Sequence, residues 1–172
     1  SCEFNRHFLN YYPKYTIITN IFYDHVDCYK SIEEIIETFE KFVMQTDKKV
    51  IACGDNENVR KLKSDKIVYY GFGDNNDVRG VIKELREDGS SFDVYINDEF
   101  YGSFNINIFG KHMIYNALAC IYMSYLEGIS IDDITKYLNE FHGAKRRFSE
   151  EKIGDVVLVD DYAHHPNEVA TV

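Results

Sequence analysis

Apolar residues recur along this chain with two periods, and the switches between them mark its elements. Tyr15 to Ile21 reads YTIITNI, a β-branched apolar run that predicts a buried strand. From Ser31 the period lengthens: Ile32, Ile35, Ile36, Phe39, Phe42 and Val43 fall on one helical face. Ser31 with Glu34 supplies a capping box at its start. KKVIACG (48–54) and KIVYYGF (66–72) return to strand-like runs, with a short helix around Glu57 to Leu62 between them. Such strand–helix–strand alternation argues for a parallel sheet with right-handed crossovers.

At residue 77 the period shortens to two. Polar and apolar positions alternate through 108, and Gly89 and Asn97-Asp98 fall where turns belong, which predicts an antiparallel meander. Gly110 opens a long helix, KHMIYNALACIYMSYLE, that stops at Gly128. Ser130 with Asp133 starts another, IDDITKYLNEF, which Gly143 ends. After GAKRRF the run VVLVDD predicts a last, buried strand. The expected fold class is therefore α/β: a mostly parallel sheet flanked by helices, plus a small antiparallel sheet. In such folds ligands gather beyond the carboxyl ends of the strands. The first strand delivers Asp24 and His25 to that edge, and the last delivers Asp161, Tyr162 and His164 to a similar one.

Composition narrows the options. The 172 residues suffice for one domain with a real core. A formal net charge of −10 argues against a nucleic-acid surface, which needs clustered Lys and Arg. It leaves room for a nucleotide, whose phosphates need a few local donors. No window approaches the roughly 20 apolar residues of a membrane span, and the amino-terminal stretch lacks the apolar core of a signal peptide. The four cysteines, Cys2, Cys28, Cys53 and Cys120, have neither zinc-knuckle nor redox spacing and fit reduced thiols in a cytoplasmic protein. The chain opens in mid-pattern, as if cut from something larger.

Four constellations carry candidate chemistry. Asp24-His25-Val26-Asp27 sets two carboxylates and an imidazole at a strand tip, suited either to a divalent cation or to plain turn formation. His112 and Asn116 lie four apart after Gly110-Lys111, on one face at a helix start. That face suits a purine or an anion, and equally an ordinary solvated helix end. Arg146 and Arg147, beside Lys145, offer guanidinium forks to phosphate oxygens, or offset local acid. Asp160, Asp161, Tyr162, His164 and His165 bunch directly after the last strand, where histidines can ligate, titrate or donate. Pro166 fits the first position of a following helix.

In order, CEFNRHFLNYYP, TNIFYDHVD, GKHMIYNALA, GAKRRF and VDDYAHHPNEV resemble the Mur ligases, the ATP-dependent amino-acid ligases of peptidoglycan precursor synthesis. The resemblance covers essentially the whole chain and runs nearest to members that join L-alanine to UDP-N-acetylmuramate. It implies three domains, with residues 1–148 a central ATP-binding domain without its phosphate-loop segment. Residues 149–172 would be the first strand and helix start of the carboxyl-terminal domain. A G-x-x-x-x-G-K-[ST] loop is absent from the sequence, and in the family it lies upstream, so the chain alone is expected to be inert.

The same resemblance implies ATP and Mg2+ as cofactors and an acyl-phosphate intermediate. His25, with Asp24 in support, corresponds to the magnesium position. His112 and Asn116 correspond to positions facing the adenine, and Asp161 to a ribose contact. Arg146 and Arg147 correspond to arginines approaching the phosphates. Tyr162, His164 and His165 correspond to the loop facing the muramyl substrate and incoming amino acid, with His164 also in the catalytic group. Met113 replaces an Asn frequent in the family, and Glu3 does not inherit the role of the upstream acidic ligand. A sibling that recycles the cell-wall tripeptide shares the scaffold. A metal-dependent phosphohydrolase built from DHVD and AHHP is a more distant alternative.

Overall fold

The computed structural model describes residues 4–23, 27–144, 149–163 and 169. A six-stranded sheet runs in the order β1 (Tyr15–Ile18), β2 (Lys49–Cys53), β3 (Ile67–Gly71), β4 (Val78–Arg86), β5 (Gly89–Ile96) and β6 (Glu99–Ile106). The pairs β1–β2, β2–β3 and β3–β4 are parallel, while β4–β5 and β5–β6 are antiparallel. The expected fold class is the one observed. The meander is continuous with the parallel strands, because Tyr70 and Gly71 of β3 pair in parallel with Val78 and Arg79 of β4.

The apolar run of β2 is explained by burial on both faces. Val50 and Ala52 pack in one core with Ile35, Phe39 and Val43 of α1 (Ile32–Gln45). Ile51 and Cys53 pack in a second core with Ile114, Leu118 and Ile121 of α2 (Lys111–Leu126). The start of α1 is capped as the sequence implies, since Ser31 Oγ accepts from the Glu34 N–H at 3.4 Å. The return bond of the box differs: Glu34 accepts from the Lys30 N–H at 2.7 Å and also pairs with Arg6. Ser130 caps α3 (Ile131–Glu140) by accepting from the Asp133 N–H at 3.2 Å. Among the described residues, no helix is long and apolar enough to cross a membrane.

Three local expectations are revised. The short helix around Glu57 to Leu62 is a single 3-10 turn, Val59–Lys61. The β4–β5 turn lies at Glu87-Asp88, and Gly89 is the first residue of β5. Its missing side chain is explained by the sheet, because a Cβ there would stand 2.3 Å from the Ile106 carbonyl oxygen of β6. Finally, VVLVD forms β8 (Val156–Asp160) in a hairpin with an unforeseen β7 (Ser149–Ile153). Gly154, at φ 63, opens the connecting turn. The strand is exposed rather than buried, with Val156 65% and Leu158 52% accessible. Two strands alone cannot bury a face, so an apolar run does not guarantee a core strand.

Candidate functional site

β2 and β3 end side by side, and the first turns of α2 lie beside the loop that follows β3. Asp55, just past β2, organises this edge. Its carboxylate accepts from the Phe72 N–H at 2.6 Å and the Gly73 N–H at 3.2 Å. It also accepts from Asn76 Nδ2 at 2.8 Å and from the Tyr115 hydroxyl of α2 at 2.8 Å. Desolvation pushes the Asp55 carboxyl up, but those four donors outweigh it and leave its pKa below the usual aspartate value. Desolvation and the bond to Asp55 push the Tyr115 phenol well up, so it remains a donor at neutral pH.

Two glycines make room for this network. A Cβ on Gly71 would stand 2.5 Å from Asp55 Oδ1, and one on Gly54 would stand 2.1 Å from Asn76 Oδ1. Arg60 braces the same loops. It donates from Nε to the Gly54 carbonyl at 2.7 Å and from one terminal nitrogen to Asn75 O and Asn76 Oδ1. Its guanidinium lies 4.1 Å from the Tyr69 ring centroid.

At the start of α2, Gly110 has φ 104, which an L side chain rarely adopts. The His112 imidazole folds back over it, with Cε1 2.5 Å from where a Cβ would sit. Asn116 is exposed one turn on, its amide 3.8 Å from Met113 Sδ. The spacing thus puts the imidazole and the amide on the first two turns of one helix, as expected. A polar pair beside first-turn N–H groups can engage the edge of a purine or an anion.

The other expected site residues divide in two. Asp161 and Tyr162 follow β8, where Asp161 Oδ1 accepts from the Ala163 N–H at 2.7 Å and folds the loop into an Asx turn. Tyr162 is exposed. Asp24, His25, Arg146, Arg147, His164 and His165 lie outside the described residues. Asp27, at the edge of the first group, lines a hollow of about 360 Å³ with Asn5, Arg6 and Cys28. Among the described residues no three His, Cys, Asp or Glu side chains cluster as metal ligands. Their donor set therefore offers Mg2+ no complete site, and a fit to the ion rests on Asp24 and His25.

Sequence reading missed Asp55, Arg60, Asn76 and Tyr115. The available signal was Gly54-Asp55 directly after a strand whose last four residues are buried, with Gly71 and Gly73 at the end of the next. Tyr115 gave none, because its partner lies 60 residues away.

A family model described as the Mur ligase middle domain matches residues 4–124. Among solved structures the chain is similar to UDP-N-acetylmuramate-alanine ligase MurC of Thermotoga maritima, at 28% identity and TM-score 0.82. That match covers 96% of this chain and 38% of the other. It is also similar to MurF ligase of Thermotoga maritima in complex with ADP, at 18% identity and TM-score 0.74, covering 92% and 38%. A third likeness is to the UDP-N-acetylmuramate:L-alanyl-gamma-D-glutamyl-meso-diaminopimelate ligase of Neisseria meningitides. There the identity is 22% and the TM-score 0.67, over 81% of this chain and 43% of that one. The chain spans less than half the length of each of these structures.

Proposed function

Because this chain belongs to the Mur ligase family through its middle domain, we propose that the protein carrying it is an ATP-dependent ligase joining L-alanine to UDP-N-acetylmuramate. The observation that carries the choice of substrate is the likeness to the alanine ligase of Thermotoga maritima over 96% of the chain. The ordered motifs ending in DDYAHHP support it.

The reaction proposed has two steps. A carboxylate oxygen of the muramyl group attacks the γ-phosphorus of ATP, and ADP leaves. The amine of L-alanine then attacks the acyl carbon, loses a proton, and inorganic phosphate leaves. Most of the catalysis in such a reaction is positioning and charge neutralisation. His112 and Asn116 face the adenine from the start of α2, and the α2-side edge held by Asp55 supports them. Asp161 takes the ribose. Arg146 and Arg147 spread charge from the phosphates. Tyr162, His164 and His165 face the muramyl group and L-alanine. His25, with Asp24, would hold Mg2+, which when bound would offset phosphate charge. Residues 1–148 form the central domain and 149–172 begin the next.

The likeness to the Neisseria tripeptide ligase favours a second substrate on the same scaffold. Phosphate release by the complete protein with ATP, Mg2+ and UDP-N-acetylmuramate separates the two. Release that depends on L-alanine supports the proposal. Dependence on the tripeptide instead keeps the ligase and changes its substrate. Release with neither, alongside tight transition-metal binding, moves the protein to metal-dependent phosphohydrolysis.

A further inference from the structure

We infer that the Tyr115–Asp55 hydrogen bond is a positioning lock that sets the rotation of α2 and so aims His112 and Asn116 at a nucleobase. The inference rests on the reading that these two residues take adenine.

The geometry favours a lock over incidental contact. Asp55 is itself immobilised by two backbone N–H groups and the Asn76 amide, all from the segment after β3. The bond from Tyr115 therefore ties α2 to a fixed point on the strand edge. A second tie lies alongside: the Phe72 and Tyr115 rings meet edge to face with centroids 4.5 Å apart. The Lys111 ammonium sits 4.8 Å from the Phe72 ring centroid, so the first helical residue is held against the same segment. In an α-helix each residue turns through about 100°, so slippage by one position would carry His112 and Asn116 off the edge. Apolar packing of Ile114 and Leu118 resists such slippage weakly in direction, whereas a hydrogen bond is directional. Tyr115 lies between His112 and Asn116 in sequence and has two torsions, so little entropy is lost in fixing it.

The test uses the complete protein and compares ATP with GTP as phosphoryl donors. Tyr115→Phe keeps the ring contact and removes the hydroxyl. It should raise KM for ATP roughly 3- to 10-fold, the effect of about one net hydrogen bond, with kcat within about twofold. The preference for ATP over GTP should fall by a similar factor, and the melting temperature should fall by no more than the few degrees that one net hydrogen bond implies. Asp55→Asn should shift preference in the same direction, which guards against an idiosyncrasy of one variant. His112→Ala serves as the control on the nucleotide reading and should erase most of the preference. If His112→Ala erases it while Tyr115→Phe leaves it unchanged, the lock is refuted and the nucleotide reading stands. If His112→Ala also leaves it unchanged, the nucleotide reading falls and the lock with it. A loss confined to kcat and melting temperature would make Tyr115 a structural residue and likewise refute the lock.

Discussion

Replacing Asp55 with Ala removes one acceptor that serves four donors. Hydrogen bonds to a charged group contribute about 1.5–3 kcal/mol each, so simple addition would exceed the stability of many domains. Addition is wrong here because Asp55 is exposed. Water can reach the freed Phe72 and Gly73 N–H groups and the Tyr115 hydroxyl, so the net loss should be that of one or two bonds, about 1–3 kcal/mol. Urea unfolding should show this as a lower midpoint at unchanged slope. A loss below about 0.5 kcal/mol would refute the view that Asp55 organises the strand edge. The pH dependence gives an independent reading. The folded pKa lies below the unfolded value, so the unfolded state binds more protons as pH falls. The contribution is full above the unfolded pKa of about 3.9 and is lost as pH drops through the folded value. The stability gap between wild type and Asp55→Asn should therefore shrink towards pH 3, and a constant gap from pH 7 to pH 3 would contradict the assignment.

Gly71→Ala would set a methyl 2.5 Å from a carboxylate that four donors hold in place. It should destabilise by about 1–3 kcal/mol, and combining it with Asp55→Ala should cost less than the sum of the two when both unfolding curves are compared. Gly110→Ala combines an unfavourable φ of 104 with a methyl 2.5 Å from the His112 ring. The imidazole must move, so the His112 resonances should shift and adenine-nucleotide affinity should fall, with a stability loss of about 1–2 kcal/mol. Leu118→Ala opens the core between α2 and the sheet, where Leu118 is fully buried and its Cδ1 stands 2.9 Å from the place of a Gly80 Cβ. Denaturant unfolding should show a loss of about 2–5 kcal/mol.

Much of the fold was legible because its signals are local. The helical stripe of α1, the Ser31 and Ser130 caps and the runs of β2 and β3 each announce themselves within a few residues. β7 was illegible because SEEKI has one apolar residue and no period. β8 was legible as a strand, but its burial depends on what covers it, which a run of valines does not encode. The site was legible where it is contiguous: Gly110, His112 and Asn116 form a pattern within seven positions. The polar lattice around Asp55 joins residues from 54 to 115, and pairs that close only through the fold leave no periodic trace. The roles of Asp24, His25, Arg146, Arg147, His164 and His165 rest on motif resemblance, since these residues lie outside those described.

Isotope transfer tests the ligase chemistry most directly. UDP-N-acetylmuramate carrying heavy oxygen in both carboxylate positions would be incubated with the complete protein, ATP, Mg2+ and L-alanine. The released phosphate would then be examined by mass. Attack of the carboxylate on the γ-phosphorus followed by expulsion from the acyl carbon places one heavy oxygen in each phosphate. Phosphate without the label would mean that water, not the carboxylate, receives the phosphoryl group, and would contradict ligation through an acyl phosphate.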